Sequence, residues 1–573
     1  MTDIACDFST GPELSLGIDG FTYADLYDPA ALARLDGVFD AYLADEAPAL
    51  SARFKAYRAC AGEGMSPEDI SAVITETAPH LGRFVAVLFG IEQDWNAQRA
   101  VIRDEDETLF RWRTEVLAGL AKRYKGVDVA SFDFARLSAQ VAALRDAVRA
   151  GARLPQDDEY LSARAGLVAA GLLPPPAGFK DAAAALFPAA ANDDAALLKA
   201  ADEALTQWAH LLKTDASRDP RAAAWVLLKE PAKTDVDHLV HYSENERPGF
   251  STWMAPAHEQ RRRDGFKLTD RRMDRRHVLY EIDHCIYCHD RDADSCSKGM
   301  RQKKGVEGFK VNALGVTATG CPLGEKISEM HVVKRQGDNI GALALVAIDN
   351  PMCPGTGHRI CNDCMKGCIY QKTEPVNIPQ IETSVLTDVL DLPWGFEIYG
   401  LLTRWNPLNV QRPYALPYGG RKVLVVGMGP AGYTLAHYLL NEGFGVVGID
   451  ALKLEPLPTA LTGSPSVPPR PIRDFKQLYD ELDRRTVNGF GGVAEYGITV
   501  RWDKNFLKVI YLTLLRRQAF RVYGGVRFGG TLTLDDAWEL GFDHVALATV
   551  PASRPSSGSR TTSCAACARR PTS

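Results

Sequence analysis

The sequence predicts a multidomain chain in which α-helical regions precede an incomplete α/β unit, and three observations predict it. The first 240 residues or so are rich in alanine, with apolar residues recurring at helical spacing. Eight of the twelve cysteines crowd between Cys285 and Cys368. From Lys422 a short apolar strand runs into a glycine-rich turn, a helix and a second strand. A chain of 573 residues exceeds a single core. The composition shifts divide it into residues 1–240 (helical), 241–385 (cysteine-bearing, with a basic lead-in), 386–549 (α/β, partial) and 550–573 (a polar tail).

In the helical region Leu50, Phe54 and Tyr57 share one face, as do Leu81, Val85 and Leu88, and Leu137, Val141, Leu144 and Val148. Pro174, Pro175 and Pro176 mark a loop. No catalytic spacing occurs here, so the region reads as a packing or docking domain. The lead-in is aromatic, then basic, with Arg261, Arg262, Arg263, Arg271, Arg272, Arg275 and Arg276 interleaved by Asp264, Asp270 and Asp274. That alternation predicts an ion-paired helix face, with a docking surface for an acidic partner as the alternative.

The cysteine block holds two groups. The first is Cys285-x2-Cys288-x7-Cys296-x24-Cys321-Pro322, and the second Cys353-x7-Cys361-x2-Cys364-x3-Cys368. A secreted disulfide framework belongs in a small, cysteine-dense chain, whereas a tight cluster in a large chain points to metal or redox chemistry. Soft thiolates suit iron–sulfur clusters and zinc, and eight ligands match two 4Fe-4S centres. The x3 step to Cys368 and the proline after Cys321 resemble ferredoxin loops. Two zinc sites of four thiolates each, in a zinc-stabilised interaction protein, are the alternative. The spacing does not assign cysteines to centres. This middle domain is expected to be α-helical. Cys6 and Cys60 stand alone, and Cys564 and Cys567 sit in the tail with no expected role.

In the α/β unit the strand KVLVV enters Gly427-Met428-Gly429-Pro430-Ala431-Gly432, followed by a helix to about Glu442 and a strand ending at Asp450. This is the strand–turn–helix context that a dinucleotide-binding, Rossmann-like unit requires. Gly427 permits the turn, Gly429 lets a pyrophosphate approach, and Gly432 lets helix pack on strand. The helix N-terminus faces the phosphates, and Asp450 is placed for the ribose hydroxyls. The motif itself does not choose between FAD and NAD.

Taken in order, these pieces resemble the small (β) subunit of bacterial glutamate synthase and the N-terminal half of dihydropyrimidine dehydrogenase, over residues 280–549. The resemblance rests on Cys285-Ile286-Tyr287-Cys288 with Cys296, Gly320-Cys321-Pro322-Leu323-Gly324, Asn350-Pro351, Gly357 to Cys368, and Gly427 to Gly432 with Asp450. Gly491-Gly492 and Tyr496-Gly497-Ile498 are similar to the segment with which that family covers its flavin. It implies FAD at Gly427, Gly429, Pro430, Ala431, Gly432, Asp450 and Gly492. It further implies an oxidoreductase that passes electrons from NAD(P)H through FAD and the clusters to a partner protein or fused domain. No acid–base or nucleophilic catalytic residue is expected.

Three departures accompany the resemblance. Residues 300–320 are inserted between Cys296 and Cys321, Cys353 is additional, and a proline-rich stretch separates Asp450 from Gly491. After Ala548-Thr549 the sequence turns polar, and no second G-x-G-x-x-G follows. The expectation is a chain truncated before an NAD(P)H domain, with a disordered tail, using NAD(P)H only if that domain is supplied; a non-catalytic electron carrier is the alternative.

A net charge of −6 gives no general attraction for nucleic acid or anionic membrane. No apolar run reaches the ~18 residues of a membrane span. The opening residues MTDIACDFST lack a basic and an apolar region, so no signal peptide is expected and the predicted location is cytoplasmic.

Overall fold

The computed structural model describes residues 14–149, 157–257, 260, 271–291, 293–303, 305–357, 361–464, 467–481, 489–492, 503–549 and 567–569. The chain opens with helices α1 (Pro29–Glu46), α2 (Pro48–Cys60) and α3 (Pro67–Leu88). Each has proline in its first turn, where the missing N–H is no loss. The Asp28 and Ser66 side chains cap α1 and α3 by accepting from the Ala31 and Asp69 N–H groups. Leu50, Phe54, Tyr57, Leu81, Val85 and Leu88 are all buried. They do not close a core of their own. Residues between Leu26 and Trp95 share one core with the helices of the cysteine block and of the α/β unit.

A second core lies between Ile102 and Leu228. In it Leu137, Val141, Leu144 and Val148 line the inner face of α4 (Phe134–Arg149), against α5 (Asp158–Ala169) and α6 (Asp194–Thr214). The two bodies meet at α7 (Arg275–His284), which carries Leu279 and Tyr280 into the second core and Val278 and Ile282 into the first. Glu105, 2% exposed, accepts from Arg275 Nε at 2.6 Å and Arg276 Nε at 2.9 Å, and Arg276 also reaches Asp157 and Glu159. Two of the seven arginines of the lead-in therefore form an internal clamp. Arg261, Arg262, Arg263, Asp264 and Asp270 lie outside the described residues. Ahead of them, β1 (Ser243–Arg247) and β2 (Phe250–Met254) pair as an antiparallel hairpin whose residues are almost all exposed.

The α/β unit is a sheet of order β5–β4–β3–β6–β7. Strands β3 (Lys422–Val426), β4 (Gly445–Ile449), β5 (Phe520–Tyr523) and β6 (His544–Leu547) are mutually parallel. The short β7 (Cys567–Arg569) adds antiparallel to β6. The chain begins in the middle of the sheet, builds outward through β4 and β5, then returns to the other side of β3. The crevice between β3 and β6 is thus the point where strand order reverses, with the Gly427 turn at its carboxyl end. Among the described residues no helix is long and apolar enough to cross a membrane.

A buried ion pair ties this unit to both ends of the fold. Arg516 Nη1 donates to both Glu397 oxygens at 2.9 Å, and the two side chains are 1% and 2% exposed. The same guanidinium reaches the Tyr23 and Tyr27 hydroxyls, and the Ile472 N–H donates to Glu397 at 2.7 Å. Replacing Glu397 with Gln leaves a buried guanidinium without its counter-charge. The expected loss is about 3–5 kcal/mol of stability in denaturant unfolding. A loss below about 1 kcal/mol would contradict this role.

Candidate cysteine and nucleotide sites

The cysteine block is built from short helical turns packed on α8 (Ile327–Arg335), α9 (Asn339–Asp349) and α10 (Ile378–Leu390). The inserted residues fold back on themselves: Met300 N–H donates to Ala318 O, and Ala318 N–H to Lys310 O. The excursion closes where Cys321 N–H donates to Cys296 O at 2.8 Å. The insertion therefore leaves Cys296 and Cys321 side by side.

Glycine makes that closure possible. Gly320 has φ +75°, and a Cβ on it would lie 2.4 Å from the Gly299 nitrogen. A Cβ on Gly367 would lie 2.9 Å from Gly320 Cα and 2.7 Å from Ser295 O. Three cysteine-bearing segments thus touch backbone to backbone, a packing that any side chain would hold apart.

Cys285, Cys288, Cys296 and Cys368 line one cavity, together with Ser295, His331, Tyr370 and apolar neighbours. The cavity itself is small, about 20 Å³, and is partly open to solvent. Backbone N–H groups point at the sulfurs. Tyr287 N–H donates to Cys285 Sγ at 3.4 Å, from a residue held at φ +51°, and Ser295 N–H reaches Cys288. Three further N–H groups, those of Tyr370, Val376 and Ile369, serve Cys368. Burial pushes the Cys285 thiol up to about 12, and Cys296 and Cys368 upward as well.

A second group forms beside it. Cys321, Cys361 and Cys364 face Glu325 and Glu382, whose charges, after burial, raise the Cys364 thiol together with those of Cys321 and Cys361. Burial and then the Asp349 charge drive Glu325 upward to about 7, and burial and then Glu325 drive Glu382 upward. Cys353 is fully enclosed, and burial followed by Glu382 and Glu325 sets its thiol, with no contribution from another thiol. The structure therefore brings together four of the eight predicted cysteines in one place and three in another, while Cys353, buried, feels the charges of Glu382 and Glu325. Among the described residues no three or more His, Cys, Asp or Glu side chains meet closely enough to hold a single metal ion.

At the α/β unit Gly427 takes φ +95°, and a Cβ on Gly432 would fall 1.8 Å from Gly427 O. After α11 (Gly395–Arg404), helix α12 (Pro430–Asn441) can then start directly above β3. Gly427 and Gly429 are half-buried, as is Pro430, and Ala431 is exposed at the helix N-terminus. Gly492 lies on this turn, at φ +54°, its missing Cβ 3.0 Å from Gly429 Cα. The Asp450 carboxylate accepts from Met428 N–H at 2.9 Å and Leu452 N–H at 3.0 Å, which braces the turn itself. Tyr496, Gly497 and Ile498 lie outside the described residues. The two sites are joined. Tyr433 of α12 donates its hydroxyl to Gly355 O at 2.9 Å, in the helical turn Cys353–Thr356 of the second cysteine group.

The chain is similar in part to an oxidoreductase subunit. It is 30% identical over 128 residues to the glutamate synthase (NADPH) small chain of Mycobacterium tuberculosis (strain ATCC 25618 / H37Rv), covering 22% of this chain and 23% of that protein. Residues 16–90 match the RP005 N-terminal alpha-helical domain. Over 195 residues the chain is 49% identical to the uncharacterized protein RP006 of Rickettsia prowazekii (strain Madrid E), 34% of this chain and 27% of that protein. Over 329 residues it is 26% identical to the uncharacterized protein RP005 of the same organism, 54% of this chain and 95% of that protein. The chain spans roughly a quarter of the length of RP006 and of the glutamate synthase small chain.

Sequence reasoning missed Ser295, His331, Glu325 and Glu382. Glu325 lies four residues after Cys321, a spacing that could have flagged it. The others announce themselves only when helices pack. The raised thiols make a prediction for the metal-free protein. A thiol whose pKa is raised stays protonated, and hence unreactive, at pH 8. Among the eight clustered thiols, iodoacetamide should modify exposed Cys361 before Cys285 and Cys321 (the latter raised to about 11), which should be slower by about tenfold or more. Peptide mapping by mass spectrometry reads the order, and equal rates would contradict the burial described.

Proposed function

We propose that the chain is a flavin and iron–sulfur oxidoreductase, similar in this respect to the glutamate synthase small chain, carrying FAD and two 4Fe-4S centres. The observation that carries this reading is the cavity shared by Cys285, Cys288, Cys296 and Cys368. A four-iron cube keeps its thiolates apart by its own width, so thiols ranged around a common space are what it requires. Cys321, Cys361 and Cys364 would hold the second centre, with the Glu325–Glu382 pair offering the fourth donor.

When bound, these groups would accept a hydride at the flavin and carry single electrons through the clusters. The chain's own residues bind and orient. Thiolates form as metal displaces their protons, and the backbone N–H groups around Cys285, Cys288 and Cys368 stabilise the charge that results. The Gly427–Gly432 turn and the N-terminus of α12 offer N–H groups to a pyrophosphate at the reversal point of the sheet. Asp450 fixes the shape of that turn. Tyr433 holds the nucleotide helix against the second cysteine group, so the flavin and that centre would keep a constant separation.

A second reading of the same sites is an electron carrier that relies on another domain for NAD(P)H. In either case a redox partner protein or fused domain receives the electrons. Cys60 and the eight cysteines from Cys285 to Cys368 are free thiols, in keeping with a cytoplasmic location.

Iron, sulfide and flavin analysis of anaerobically purified protein tests the reading, with about eight irons per chain expected from two cubes. Cys364→Ser should lose about half of the iron, whereas Cys353→Ser should keep all of it. Two zinc ions in a colourless protein would overturn the proposal. Bleaching of the visible bands by NADPH separates the oxidoreductase from the carrier.

A further inference from the structure

The cavity of the first four thiols contains two buried polar side chains that the cysteines leave unexplained. His331, on α8, is 0% exposed and lines the cavity. Neither of its ring nitrogens has a hydrogen-bond partner. Ser295 is 5% exposed and lines the same cavity, and its Oγ also has no partner. The Ser295 N–H is already engaged with Cys288, so this residue faces the cavity with its backbone and its hydroxyl.

An unsatisfied buried polar group costs about 1–3 kcal/mol. Two of them lining one small space point to something in that space that accepts hydrogen bonds. Protein acceptors do not fill this role for His331. The neighbouring His289 is turned away, with Nδ1 on Ser328 Oγ at 2.6 Å and Nε2 on Asp290 at 3.1 Å. The wall of the cavity that His331 lines carries four sulfurs, with Tyr370 beside them: Cys285 and Cys288 from the loop after α7, Cys296 from the next turn, and Cys368 from the second cysteine run. Burial depresses the imidazole, which is therefore neutral and carries one N–H and one bare nitrogen.

We infer that His331 and Ser295 are positioning residues that donate hydrogen bonds to the sulfurs of the iron–sulfur centre in this cavity and thereby raise its reduction potential. The inference rests on the proposed function and deepens it. A donor to a cluster sulfur offsets the added negative charge of the reduced form more than that of the oxidised form, so it favours reduction. The effect confines itself to one of the two centres, because the second group lies beside the glutamates and not beside His331. The pair would make the first centre easier to reduce than the same cluster without donors, and so bias the direction in which electrons settle.

The test uses the anaerobically purified holoprotein, its His331→Leu, His331→Gln and Ser295→Ala variants, a redox titration followed by EPR, and pulsed EPR of the reduced protein after exchange into D2O. The inference expects full iron in all variants. It expects one midpoint, not both, to move to more negative potential in His331→Leu, a smaller move in Ser295→Ala, and partial recovery in His331→Gln, whose amide restores a donor. An exchangeable proton coupled to that centre should be lost in His331→Leu. Full iron with both midpoints and the coupling unchanged would overturn the inference and leave the cluster reading standing. Loss of about half of the iron in both His331 variants would make His331 a ligand or a structural residue and overturn it too. Absence of iron from the parent protein would instead remove the proposed function on which it rests.

Discussion

A single backbone hydrogen bond, Cys321 N–H to Cys296 O, governs the arrangement of the sulfur atoms. It closes the inserted excursion and sets two cysteines back to back, one belonging to each thiol group. The contact is short because Gly299, Gly320 and Gly367 bring three segments together without side chains between them. Distance in the sequence is thereby removed: Cys368 joins Cys285, Cys288 and Cys296, and Cys321 crosses over to Cys361 and Cys364. Each thiol group draws cysteines from both runs, so neither can assemble unless the whole block folds.

The rest of the molecule supports that block from several sides. Helices α1 to α3 share its core, and α7 leads into Cys285 after clamping the second helical body through Arg275, Arg276 and Glu105. The nucleotide-type turn reaches the block through one helix, whose Tyr433 bonds Gly355. A cofactor on the turn and a cluster on the cysteines would then be coupled by rigid packing. The electrostatics divide the two thiol groups sharply. One faces backbone N–H groups and two orphaned polar side chains, while the other faces a buried pair of glutamates, so equal clusters in the two places would differ in potential.

The sequence made local features legible. The helical faces through Leu50, Leu81 and Leu137 could be read from spacing, and so could the strand, turn and helix around Gly427, because each depends on neighbours in the chain. Long-range facts were not legible. Which helices share a core depends on shape complementarity between distant faces, and nothing near residue 95 signals that the preceding helices pack with the cysteine block. The pairing of thiols depends on a close glycine contact between segments some seventy residues apart. Asp450 illustrates the same limit: its position after the second strand pointed to a ribose, while its carboxylate also braces the turn through Met428 and Leu452, a use that only three-dimensional proximity reveals. Glu382 and His331 look like ordinary helix residues until the burial of their polar ends is seen.

The central claim is that sulfur atoms remote in sequence enclose two inorganic cores. Anomalous diffraction at the iron edge, from crystals grown without oxygen, tests it most directly. The account predicts two compact iron peaks, one bonded to Cys285, Cys288, Cys296 and Cys368, the other to Cys321, Cys361 and Cys364. Iron bound to a different partition of these thiols, a single-atom peak at either site, or no iron signal in the cysteine block would contradict it.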